Sequence, residues 1–224
     1  MSTDRKTEIA VGALFFLATA SYLVGSQLIA PALSAADGVL SLNSTQLRIG
    51  VLLEVVNAGA VVGIGVLLFP ILRQYSDSGA LGYAISRTIE SVLLVVSALS
   101  ALSLVTPGQG IAAASAYNLA FQMAMVALGA GSLVLCSMLY RFTLVPRALS
   151  LLGAVGYAAL LVSGWIVLFG GDASPWLFAP GAIFEIVFPL WLIVRGFNSP
   201  ALAALPVTSI PVPGVSAATR HATP

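Results

Sequence analysis

Apolar residues run through this chain in long stretches, and polar residues collect in the short gaps between them. Six stretches reach the ~20 residues that an α-helix needs to cross a bilayer core. They run from Glu8 to Pro31, Gln46 to Leu72, Ala80 to Val105, Ala113 to Tyr140, Arg147 to Phe169 and Ser174 to Phe197. The gaps carry turn-forming residues. Ser34 to Thr45 holds Asp37 and Asn43, and Arg73 to Gly79 holds Tyr75-Ser76-Asp77-Ser78. Thr106-Pro107-Gly108, Arg141 to Pro146 and Gly170-Gly171-Asp172 supply the other breaks. The pattern predicts an all-α polytopic membrane protein, a bundle of six transmembrane helices joined by short loops.

Two segments need separate treatment. Arg5 and Lys6 ahead of an apolar run resemble a signal peptide, but the run continues to Leu33 with no cleavage site. It is read as a retained first helix. Residues 199–224 are rich in Pro, Ala, Ser and Thr and lack apolar periodicity, so a disordered cytoplasmic tail is expected after a transmembrane domain of residues 1–198.

Composition sharpens the membrane reading. Charged residues make up 8% of the 224 positions, against about 25% in soluble domains. The mean hydropathy is +1.04. So few charges cannot cover a water-facing surface. A net charge of +1 argues against a nucleic-acid partner. The basic residues also set an orientation. Arg5, Lys6, Arg73, Arg141, Arg147, Arg195 and Arg220 fall at one set of helix ends. Asp37 and Asp172 fall at the other, with Arg48 the only basic residue there. The positive-inside rule then puts both termini in the cytoplasm, with the chain in the cell (plasma) membrane.

Four ionisable residues lie well inside the expected helices: Glu54, Arg87, Glu90 and Glu185. At 1.5 Å rise per residue, Glu90 and Glu185 fall near the midplane and Glu54 in the outer half. Each costs about 2.5–3.5 kcal/mol on insertion scales, so each is expected to face the bundle interior. Glu54 and Asn57 share a face of the second helix, and Arg87, Glu90 and Ser91 a face of the third. Asn118 and Gln122 form a polar face on the fourth helix, and Tyr22 and Tyr157 could add hydroxyls. Pro189, four residues after Glu185, frees the Glu185 carbonyl from its helical hydrogen bond. One ligand-binding pocket is therefore expected from Glu54, Asn57, Arg87, Glu90, Gln122 and Glu185, with Arg48 reaching in from the outer interface. Three carboxyls facing one buried arginine imply that at least one holds its proton. Glu54, Glu90 and Glu185 are also the candidates for a catalytic role.

Absent residues narrow the chemistry. The single histidine, His221, lies near the C-terminus, and no lysine lies inside a helix. A retinal Schiff base, His-ligated haem or zinc and a Ser-His-Asp triad are thereby excluded. Cys136 stands alone, so dithiol chemistry and a cysteine metal cluster are excluded too. No phosphate-binding loop or Asp-rich magnesium motif is present, and no metal or cofactor is expected. Gly59 and Gly63 form a GxxxG pair, read as intramolecular packing of the second helix.

Several of these residues lie in segments with a wider resemblance. Leu53-Glu54-Val55-Val56-Asn57-Ala58 and the stretch from Gly63 to Leu72 resemble the second helix of the bacterial domain of unknown function 4386 family. Ala80-Leu81-Gly82-Tyr83-Ala84-Ile85-Ser86-Arg87-Thr88-Ile89-Glu90 is similar to its third-helix motif. Leu139-Tyr140-Arg141 with Leu144-Val145-Pro146-Arg147 resembles its fourth-to-fifth link. Glu185 with Leu192-Ile193-Val194-Arg195-Gly196-Phe197-Asn198 resembles its C-terminal end. The resemblance implies a six-helix bacterial membrane protein and no particular activity.

Three functions stay open on the sequence. The polar pocket could bind or transport a small or lipophilic ligand, with or without proton coupling; transport by so small a chain would call for a homodimer. It could serve a cofactor-independent enzyme that uses glutamate as general acid and base on a lipid or isoprenoid, an isomerase or cyclase. Or the buried charges could only fix helix register in a structural or accessory subunit.

Overall fold

The computed structural model describes residues 3–34, 44–106 and 108–198. The loop calls at Asp37 and Asn43, the break at Pro107, and the tail with Arg220 and His221 lie outside the described residues. The helices are α1 (Thr3–Ser34), α2 (Ser44–Leu72), α3 (Asp77–Leu102), α4 (Gly110–Arg141), α5 (Arg147–Leu168) and α6 (Ala179–Val194). Short 3₁₀ turns at Ser103–Val105 and Pro175–Phe178 follow α3 and precede α6. All six helices are long and apolar enough, α6 with its preceding turn, to cross a membrane. The chain is a multi-pass membrane protein, and the bilayer is its solvent.

The helix ends differ from expectation where local chemistry decides them. The α3 helix starts at Asp77 rather than Ala80, because the Ser76 hydroxyl accepts a hydrogen bond from the Gly79 amide at 3.1 Å. The α6 helix is shorter than expected. It stops at Val194, and Gly196 then takes φ +75, the left-handed conformation that commonly ends helices. The carbonyls of Leu192 and Ile193 left open there are met by the Arg5 guanidinium of α1, at 2.7 Å for Leu192. Glu8 Oε1 accepts from the Phe197 amide at 2.9 Å. The first and last helices are thus latched together at the end where Arg73, Arg141, Arg147 and Arg195 also lie. We call this the basic end.

Each helix packs on its neighbours in sequence, and α6 closes back on α1, so the bundle is a ring. Three clusters of buried apolar residues fill it, the smallest being Ala58, Val61, Leu94 and Ala124 among α2, α3 and α4. Toward the basic end, Phe15, Leu68, Tyr83, Leu139, Tyr157 and Phe188 belong to one cluster fed by all six helices. Toward the opposite end, Ile29, Val51, Ala98 and Tyr117 belong to a cluster drawn from α1 to α4 and the turn after α3. The GxxxG expectation fails in part. Gly59 is exposed with nothing near its Cβ position, and Gly63 meets only Leu14. The close approach between α1 and α2 lies instead at Gly25 and Gly50.

Candidate functional site

Arg87 is the centre of the buried polar groups. It sits on α3 one turn before Glu90, and both are almost fully enclosed, at 4% and 2% exposure. Helical spacing brings them together. Arg87 Nη1 donates to Glu90 Oε2 at 3.0 Å and to Oε1 at 3.3 Å. Arg87 Nε donates to the Tyr83 hydroxyl at 2.9 Å, one turn earlier on the same helix. The guanidinium also lies over two aromatic rings, 5.7 Å from the Phe15 centroid and 5.2 Å from that of Tyr83. Apolar and aromatic groups thus replace the water that the cation has lost. Arg87 Nη2 is buried and has no hydrogen-bond partner.

This centre borders a cavity of about 520 Å³ at the axis of the ring. Every helix contributes to its wall. The polar lining includes Asn57 from α2, Arg87 and Glu90 from α3, Gln122 from α4, Tyr157 from α5 and Glu185 from α6. Tyr22 of α1 closes one side. The remainder is largely apolar, with Phe15, Ile64, Leu94, Met125 and Leu160 among the lining residues. Glu185 is half-buried, and the Tyr157 hydroxyl donates to its Oε1 at a long 3.4 Å. No arginine or lysine forms an ion pair with Glu185 among the described residues.

Five of the six residues expected in one pocket therefore line one cavity: Asn57, Arg87, Glu90, Gln122 and Glu185. Glu54 does not. It is buried among α1, α2 and α4, where the Tyr117 hydroxyl donates to its Oε1 at 2.6 Å. An aromatic stack separates the two places. Tyr22 lies on Phe121 with centroids 5.5 Å apart, and Phe121 faces Tyr117 at 6.5 Å. Two further expectations are corrected. Arg48 is exposed at the helix surface and does not reach inward. Asn118 is exposed as well, so of the polar face expected on α4 Gln122 alone reaches the cavity. Ser91 shares the Arg87 face but spends its hydroxyl on the Ala58 carbonyl of α2, at 2.9 Å.

Sequence reasoning missed Tyr83, Tyr117 and Phe15 as partners of the buried charges. Tyr83 was within reach, since it lies four residues before Arg87 on one helix. Tyr117 and Phe15 carry no such local signal, because each meets its charge from a different helix.

Among the described residues no three His, Cys, Asp or Glu side chains gather as a metal ion would require. The arrangement offers something else. It combines an apolar cavity, a neutralised ion pair with one unused donor, and a separate carboxyl that can accept or donate a proton. Comparison with curated proteins and with solved structures finds no match. A family model does match, over residues 10–196, which is most of the chain and includes all of α2 to α6 and most of α1. The chain belongs to the family described as Domain of unknown function (DUF4386).

Proposed function

We propose that the protein binds, inside the bilayer, a lipophilic molecule carrying one neutral oxygen group, a hydroxyl or a carbonyl. The observation that carries this reading is a mostly apolar cavity whose few polar groups, Asn57, Arg87, Glu90, Gln122 and Glu185, converge on it from α2, α3, α4 and α6. A volume of about 520 Å³ falls within the ~300–1,000 Å³ range of small-molecule sites, which pair apolar walls with a few placed polar groups. A buried polar group left without a partner costs about 1–3 kcal/mol, and a ligand oxygen that pairs with the polar lining of the cavity removes part of that cost.

Charge selects the ligand class. Glu90 already neutralises Arg87, and Glu185 adds a second carboxyl to the same cavity. An anionic ligand would set a third acid around one guanidinium. A cationic ligand would meet Glu185 but repel Arg87. A neutral oxygen can accept from Arg87, and a hydroxyl can also donate to Glu185. The basic end is assigned to the cytoplasm of the cell membrane, on the excess of arginine there.

Mass spectrometry of the purified protein tests the reading. A neutral, oxygen-bearing lipophile should co-purify with the wild type and be depleted in the Arg87→Met/Glu90→Gln double variant. Recovery of a fatty acid or an amine instead, or of nothing beyond bulk phospholipid, overturns it.

A further inference from the structure

The two ends of the ring are closed differently, and the difference opens one side of the cavity. At the basic end α1 and α6 are bound tightly. Arg5 holds the last carbonyls of α6, Phe15 meets Phe188 edge-on at 5.5 Å, and Gly12 lies against Pro189 and Ile193. Farther along, each helix is drawn toward its other neighbour. A Cβ placed on Gly25 would lie 3.0 Å from the Gly50 carbonyl oxygen, so α1 leans on α2 there. A Cβ on Gly156 would lie 2.5 Å from the Gly181 nitrogen, so α6 leans on α5 with backbone nearly touching backbone. The core cluster of that half contains residues of α1 to α4 and none of α5 or α6. On the far side of the ring α5 stays joined to α4, since Gly164 faces Val126.

A seam is left between α1 and α6 at the level of the cavity. The residues that flank it have two faces. Leu23 of α1 and Ile186 of α6 line the cavity and yet are 56% and 55% exposed on the outer surface. Ala182, one turn before Ile186, also lines the cavity and is exposed. In a membrane that outer surface is acyl chain. The half of the bundle concerned lies beyond the latched end, so the basic side of the membrane is shut off from the cavity by the six-helix core.

We infer that the cavity exchanges its contents sideways with the bilayer, through a slot between α1 and α6 flanked by Leu23, Ala182 and Ile186. This rests on the proposed binding function for what passes through, but the slot can be tested without any ligand. Its physical sense is simple. A lipophile already dissolved in acyl chains need not cross water to reach Arg87. Its apolar part can stay in the slot while its oxygen moves inward.

Fluorescence quenching tests it. Thr19→Trp puts an indole in the cavity wall, in a background of Trp165→Phe, Trp176→Phe and Trp191→Phe. The protein is reconstituted in phosphatidylcholine vesicles, with or without phosphatidylcholine brominated at mid-chain. Brominated lipid should quench the Thr19→Trp indole to a degree similar to Leu17→Trp, an exposed position on α1. Aqueous acrylamide should quench it far less. Adding Ala182→Phe, which fills the slot, should remove most of the lipid quenching at Thr19→Trp and leave it intact at Leu17→Trp. Strong quenching by acrylamide, quenching by neither agent, or indifference to Ala182→Phe overturns the inference. If Thr19→Trp does not fold, Tyr22→Trp serves, since Tyr22 lines the same wall. An open slot with no co-purified ligand would count against the binding function alone. A bound ligand with no lipid quenching would count against the slot alone.

Discussion

The Tyr117 hydroxyl of α4 donates to Glu54 Oε1 of α2 over 2.6 Å, joining residues 63 apart in sequence. The bond meets an acid that α1, α2 and α4 enclose, so Glu54 serves the helix junction and the cavity is left with two glutamates. Tyr117→Phe keeps the ring on Phe121 and removes only the donor. The loss should be about 1–3 kcal/mol, the cost of an unsatisfied buried polar group. Thermal unfolding in detergent should show the lower stability, with ligand recovery unchanged. Equal stability of Tyr117→Phe and wild type would sink this assignment.

Arg87 and Glu90 should behave as a unit. Glu90→Gln leaves a cation among Phe15, Tyr83 and lipid-facing helices, and Arg87→Met leaves an uncompensated acid. Removing one partner of a buried ion pair typically costs about 3–5 kcal/mol, whereas replacing both is often close to neutral. The double variant should therefore unfold at a higher temperature than either single variant. Additive losses would show that the two side chains do not depend on one another.

Glu185 should separate stability from binding. Its only described side-chain hydrogen bond is the 3.4 Å contact from Tyr157, and hydrogen bonds between transmembrane helices average about 0.6 kcal/mol. Glu185→Gln should shift unfolding by no more than about that amount. It should still change which lipophile is retained, because glutamine replaces one carboxyl oxygen with an N–H donor and removes the acid's charge. A large stability loss would make Glu185 a structural residue instead.

Topology can be read by labelling. Asp172 is exposed in the turn before α6, and Arg147 starts α5 at the basic end. The native Cys136 is buried and gives little background. A membrane-impermeant maleimide should label Asp172→Cys in intact cells and Arg147→Cys only after permeabilisation. The reverse pattern would invert the assigned orientation.

Much of the site was legible because membrane insertion makes charge expensive. Arg87, Glu90 and Glu185 stand out in any apolar helix, and the Arg87–Glu90 pairing follows from three-residue spacing alone. The assignment of Glu54 was not legible. Its neighbour Asn57, one turn along the same helix, reaches the cavity while Glu54 does not. A turn along α2 moves a side chain past the aromatic stack of Tyr22, Phe121 and Tyr117, and that stack comes from other helices. Arg48 and Asn118 were misplaced for a related reason. Polarity says that a residue prefers water or a partner, but the rotation of its helix decides which one it meets.

The sequence by itself determined the number of spans, their order, their likeness to one family and the basic bias of one set of helix ends. These are properties of single segments weighed against lipid, so segment length, apolarity and charge suffice. The tertiary structure alone decided that the helices form a ring, that two acids rather than three share its cavity, and that the Arg87–Glu90 pair stands at the cavity wall. It also decided where the ring is loose. A Gly25–Gly50 contact and a Gly156–Gly181 contact pull α1 and α6 apart, and such contacts exist only after two distant segments have met.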